Sequence, residues 1–137
     1  MTMTPHADAE LIAAAEVVRG HAHAPYSRFL VGAAVRMDGR VFVGVNVENA
    51  SYPVSVCAER NAIAAGVAAG ARHVEAIAVV TDVSPPSSPC GACRQVIAEF
   101  AHHPAAVHVV AANPRGEHRT WTLAELLPDS FSARELP

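Results

Sequence analysis

The chain has 137 residues, 51% of them hydrophobic, and a formal net charge of −3. That length fits one domain, residues 1–137, with a buried core, and the composition excludes a disordered or highly charged tail. The ten basic residues are all Arg and are scattered, whereas a protein that grips nucleic acid shows a basic stripe; a small neutral ligand is expected and nucleic acid is not.

No apolar stretch approaches the ~20 residues that cross a bilayer, so no membrane partner is expected. The polar, acid-bearing start from Met1 to Glu10 does not read as a secretion signal, which points to the cytoplasm. Three cysteines, an odd number, suit ligands or nucleophiles in a reducing compartment better than disulfides.

In chain order, Ala7 to Arg19 reads as a helix, with Asp8 as N-cap, an apolar stripe of Leu11, Ile12, Ala15 and Val18, and Gly20 as the stop. Pro25 keeps His21 to Arg28 irregular. Val31 to Arg36 and Arg40 to Val45 are β-rich runs around Met37-Asp38-Gly39, a hairpin signal. Asn46 to Val56 is a loop, and Cys57 to Ala69 is a buried helix closed by Gly70. Val74 to Thr81 suits a central strand covered on both faces. After the Pro/Ser loop Ser84 to Pro89 comes a short helix from Cys90 or Gly91 to Phe100. Val107 to Ala112 and His118 to Trp121 read as strands around the turn Asn113-Pro114-Arg115-Gly116, and Leu123 to Leu127 as a last short helix before a tail with Phe131. The order α-β-β-α-β-α-β-β-α implies a mixed sheet with helices on its faces.

Both central helices open with cysteine: Cys57-Ala58-Glu59-Arg60 and Pro89-Cys90-Gly91-Ala92-Cys93-Arg94-Gln95. Helix N-termini carry positive dipole ends that favour thiolates, and three thiolates on one Zn²⁺ leave a fourth tetrahedral position open. Three thiolates also overload the metal with negative charge. Arg60, one turn beyond Cys57, is placed to offset it, and Arg94 and Gln95 are further candidates to hydrogen-bond sulfur. Glu59, two residues after its cysteine, is near the metal without the geometry of a ligand. A carboxylate there can shuttle protons, the layout of the zinc deaminases. A structural zinc site would need a fourth protein ligand, and none of the eight histidines stands at ligand spacing; a redox Cys-x-x-Cys would leave Cys57 and Glu59 without a role. The blander readings of the other residues are loop polars for Asn46 and Glu48 and core aromatics for Phe29 and Phe131.

The sequence resembles the small, homotetrameric, three-cysteine type of cytidine deaminase from about Glu10 to Leu136. Besides the zinc motif the likeness rests on Pro25-Tyr26-Ser27-Arg28-Phe29, Val31-Gly32-Ala33-Ala34, Asn46-Val47-Glu48-Asn49-Ala50-Ser51-Tyr52, and Leu126-Leu127-Pro128 with Phe131. Residues 53–56 and 101–106 are less typical of the family.

The resemblance implies a three-layer α-β-α sandwich with a mixed five-stranded sheet and one Zn²⁺ per subunit on Cys57, Cys90 and Cys93. Glu59 would be the catalytic residue. Phe29 would stack near the pyrimidine, Asn46 and Glu48 would bind the ribose hydroxyls, and the Ala58 backbone with Glu59 would hold the base. Ala50, Tyr52 and Phe131 would reach sites in neighbouring subunits, so that the homotetramer completes each site. The implied activity is hydrolytic deamination of cytidine and deoxycytidine to the uridine nucleosides and ammonia, in pyrimidine salvage. The alternatives are a deaminase of a related nucleoside such as blasticidin S, a nucleic-acid editor, and a zinc-stabilised interaction module.

Overall fold

The structure is a computed structural model that describes residues 5–137. The first helix, α1, spans Pro5–Arg19. It begins earlier than expected, because Pro suits the first turn of a helix, where its missing N–H has no partner to lose. Asp8 therefore lies in the first turn, where its charge complements the dipole, and is not the N-cap. Strands β1 (Gly32–Met37) and β2 (Arg40–Val45) form the expected hairpin, with Met37 paired to Arg40 and only Asp38 and Gly39 in the turn. Both turn residues have positive φ, +48° and +77°, the backbone of a two-residue hairpin turn that Asp-Gly adopts most readily.

Helix α2 is Ala58–Ala68 and helix α3 is Gly91–Glu99, with Cys57 and Cys90 as their N-cap residues. Strands β3 (Val74–Val80), β4 (His108–Ala112) and β5 (His118–Thr122) and helix α4 (Leu123–Leu126) complete the regular elements. Three short 3₁₀ turns, at Tyr52–Val54, Pro104–Ala106 and Ala133–Glu135, were not expected. Two of them contain proline and the third carries a Ser132–Glu135 capping box. These are local signals too short for any periodicity to show.

The sheet order is β2-β1-β3-β4-β5, with β3 and β4 parallel and the other pairs antiparallel. Side chains alternate across it. Ala34, Ala76, Ala78 and Val80 pack under Leu11 and Ala15 of α1. On the opposite face Val35, Met37 and Ile77 meet Ile63 of α2 and Ile97 of α3. The chain is thus a three-layer α-β-α sandwich on a mixed five-stranded sheet, as expected. Arg36, on the α1 face, reaches Glu10 at 3.2 Å instead of entering the core.

The small residues set how closely α2 lies on the sheet. A Cβ at Gly44 of β2 would stand 2.4 Å from the Ala62 nitrogen and 2.6 Å from the Ala58 carbonyl oxygen, so only glycine admits this contact. Register then decides where the ends meet. Gly32 pairs with both Val45 and Val80, which places Val31, Asn46 and Thr81 at one end of the sheet. The N-termini of α2 and α3 arrive at the same end.

Candidate active site

Three sulfurs gather at that end. Cys57, Cys90 and Cys93 have ligand atoms all within 4.8 Å of one another. Cys93 is buried, Cys57 half-buried and Cys90 exposed. Among themselves the thiols settle unequally. The Cys93 S–H donates to Cys57, which draws Cys57 down to about 5, and the same bond with burial pushes Cys93 well up. A tetrahedral zinc with Zn–S of about 2.3 Å places its sulfurs about 3.8 Å apart, so a small contraction of this cluster accommodates the ion. An all-thiolate donor set suits Zn²⁺ and not a hard cation such as Mg²⁺ or Ca²⁺. The residues fit zinc.

Arg60 is the cation that reaches this cluster. Its Nη2 lies 4.0 Å from Cys57 Sγ and 3.4 Å from the Ser55 carbonyl oxygen, while its buried Nε has no partner. Arg94 and Gln95 direct their hydrogen bonds elsewhere. Arg94 binds the carbonyls of Pro89 and Leu126 and the hydroxyl of Ser88, and Gln95 donates to the Phe131 carbonyl.

Glu59 is 5% exposed in the first turn of α2. Burial raises its pKa, and the adjacent Cys57 thiolate raises it further. A carboxyl group held in this way exchanges a proton more readily near neutrality than an exposed glutamate does.

A cavity of about 240 Å³ opens beside the sulfurs, lined among others by Phe29, Asn46, Ala58 and Glu59. Asn46, 9% exposed, shapes its wall: the Oδ1 accepts from the Val31 N–H at 2.9 Å and the Nδ2 donates to the Phe29 carbonyl at 2.7 Å. One amide N–H and one carbonyl lone pair remain for a ligand. Residues Val79, Thr81, Ser87 and Ser88 also line this cavity and were not anticipated. The strand end and the Pro/Ser loop carry no motif, and only the register brings them here.

Glu48 lies next door, in a second cavity of about 430 Å³ with Tyr26, Ser27, Tyr52 and Ser55. Its carboxylate accepts from the N–H groups of Tyr26 and Ser27 and from the Ser27 hydroxyl. That hydroxyl first, and then the Ser27 N–H, hold its pKa below the ordinary 4.5. Ala50 and Phe131 line neither cavity. Tyr52 is 69% and Phe131 59% exposed, both large rings mostly open in a single chain, with Tyr26 edge-on to Tyr52 at 5.8 Å.

Comparison with known proteins agrees with this chemistry. Residues 5–110 match the family model described as the cytidine and deoxycytidylate deaminase zinc-binding region. The chain is 49% identical over 127 residues to a cytidine deaminase of Halalkalibacterium halodurans, covering 92% of this chain and 95% of that one. It is 45% identical over 128 residues to one of Sporosarcina psychrophila, covering 93% of each. A crystal structure of cytidine deaminase from Burkholderia pseudomallei superimposes with a TM-score of 0.84 at 50% identity, covering 94% of this chain and all of that one. The chain belongs to the cytidine and deoxycytidylate deaminase family.

Proposed function

We propose that this chain's residues divide the work of zinc-dependent cytidine deamination between a zinc-and-proton centre and a nucleoside clasp. The activity itself follows from family membership, the near full-length relatives and the three-thiol cluster. Cytidine and deoxycytidine become uridine and deoxyuridine with release of ammonia, and nothing in the cavity favours a blasticidin-type substrate. Zinc on Cys57, Cys90 and Cys93 supplies Lewis-acid activation of water when bound.

Glu59 carries the proton. Its buried carboxylate takes a proton from the attacking water and delivers it to ring N3, then takes a second from the new C4 hydroxyl and passes it to the leaving amine as the carbonyl forms. The Ala58 backbone, the residue before it, holds the base in register with that carboxylate. Phe29 stacks near the ring, and Asn46 and Glu48 bind the sugar hydroxyls, the Ser27 contacts holding the Glu48 pKa below its ordinary value. The observation that carries this division is the burial of Glu59 in the same helix turn as Cys57, at the wall of the cavity.

The clasp is shared among copies of the chain. The cavity of about 240 Å³ is smaller than the roughly 300–1,000 Å³ of ordinary ligand pockets, and Tyr52 and Phe131 stand largely exposed. Val43, Val47 and Val54 add exposed apolar surface on β2 and the loop after it. A homotetramer in which Ala50, Tyr52 and Phe131 complete neighbouring sites accounts for both facts. Among the described residues no helix is long and apolar enough to cross a membrane. Three free thiols in service as ligands suit a reducing cytoplasm, and the products suit pyrimidine salvage.

The test is the loss of ultraviolet absorbance as zinc-replete protein converts cytidine, with cytosine, CMP and blasticidin S in parallel. Turnover of cytidine is expected, and Glu59→Gln is expected to keep zinc and fold yet lose about 10²–10⁴-fold in rate. Full activity in Glu59→Gln would contradict the proton role, and turnover of blasticidin S alone would contradict the substrate.

A further inference from the structure

The segment from Thr81 to Pro89 joins β3 to α3 and delivers Cys90, the exposed member of the sulfur cluster, yet it contains no helix or strand. Its backbone has to be held by side chains from other elements. At its start the buried Asn113 donates to the Val83 carbonyl at 3.1 Å, and Arg115 pairs with Asp82 at 3.1 Å.

At its end one side chain does the holding. Arg94 Nε donates to the Pro89 carbonyl at 2.7 Å, and Nη2 donates to Ser88 Oγ at 2.8 Å. Pro89 immediately precedes Cys90, and Ser88 lines the substrate cavity. The third arm of the fork, Nη1, donates at 2.8 Å to the carbonyl of Leu126, the last residue of α4, where helix carbonyls lack partners of their own. The next residue, Gln95, donates to the Phe131 carbonyl at 3.0 Å.

We infer that Arg94 is a positioning residue that fastens the Cys90 loop to the C-terminal segment, so that zinc retention and nucleoside binding depend on one guanidinium. Three acceptors in two distant segments are met at once because the guanidinium is a rigid planar fork; a Lys ammonium is a point charge on a flexible stem and cannot span them. Arg94 thereby acts through hydrogen-bond geometry, in contrast to Arg60, whose charge faces sulfur. The nucleoside half of the inference rests on the proposed function; the zinc half does not.

The experiment compares zinc-loaded full-length wild type, Arg94→Lys, Arg94→Gln, and a control, Val110→Ala, which opens the core on the α1 face. Zinc transfer to excess chelator is followed well below every melting midpoint, and kcat and KM for cytidine are measured separately. Both Arg94 variants are expected to release zinc faster by about tenfold or more and to raise KM more than they lower kcat. Val110→Ala is expected to melt earlier and release zinc at the wild-type rate. Arg94→Lys behaving as wild type would overturn the inference in favour of charge alone. Arg94 variants that match Val110→Ala in zinc release and KM would overturn it in favour of general stability. Should Arg94→Gln fail to fold, Arg94→Lys decides between these results. Zinc transfer needs no nucleoside, so a wild type inactive on cytidine would count against the proposed substrate and leave this measurement intact.

Discussion

The sulfur cluster and the Glu48–Tyr52 loop lie close together in the fold but are built differently. The cluster stands on two helix N-termini, of which that of α2 is set by a close helix–sheet contact at Gly44, and both its Cys93 and the neighbouring Glu59 are buried. The loop is tied down by polar contacts, such as Ser27 to Glu48 and Asn49 to Ser55, and by one edge-on ring contact of Tyr26 with Tyr52, and leaves Tyr52 exposed. On the proposed function, zinc-and-proton chemistry is assembled within one chain, while nucleoside binding calls on surfaces that one chain leaves open. The proton-carrying Glu59 and the Cys93 thiol are buried, and a substrate that must enter and leave requires an edge.

The largest effect expected from breaking this contrast is at the cluster. Cys93→Ala removes the buried thiol that hydrogen-bonds to Cys57. It is expected to abolish both stoichiometric zinc, measured by elemental analysis, and cytidine turnover. Retained zinc with turnover would show that the cluster is not the metal site.

A smaller effect is expected at the clasp. Phe131→Ala removes a ring that lines neither cavity of its own chain. It is expected to raise KM about tenfold, the worth of an aromatic contact, with kcat and zinc content little changed. Steady-state kinetics separates this from a loss of chemistry.

The smallest effect sharpens the loop. The folded pKa of Glu48 lies below its ordinary 4.5, so the stabilisation from its contacts is present above 4.5 and fades as pH falls through the lowered value. Ser27→Ala removes the first cause of that shift and is expected to move the Glu48 titration upward, read by NMR of its side-chain carboxyl. An unmoved titration would show that the backbone N–H groups alone hold it.

Much of the centre was legible in the sequence because its signals are local. Cys57-x-Glu59 and Pro89-Cys90-x-x-Cys93 each sit within one helix turn, where spacing dictates geometry. The element order was legible for the same reason, through periodicity and through turn residues such as Asp38-Gly39. The partners of Arg94 and Gln95 were not legible. Beyond the local contacts of Arg94 to Ser88 and Pro89, they lie 32 and 36 residues away at Leu126 and Phe131, and only the folded C-terminal segment brings those carbonyls to α3. Val79, Thr81 and Ser88 escaped notice because a buried strand end and a Pro/Ser loop look alike in any protein; sheet register makes them cavity walls. Asp8 has the side chain of a cap, yet the helix already runs from Pro5 and leaves Asp8 in its first turn.

The central claim, one chain for chemistry and several for binding, is tested most directly by mixing subunits. Glu59→Gln and Phe131→Ala chains are co-expressed, the mixed oligomers isolated, and cytidine turnover measured at substrate well below the wild-type KM. Some sites then pair an intact Glu59 from one chain with an intact Phe131 from another, so activity is expected to exceed the average of the two pure variants. Activity no greater than that average would place both residues in the same chain's site and contradict the account.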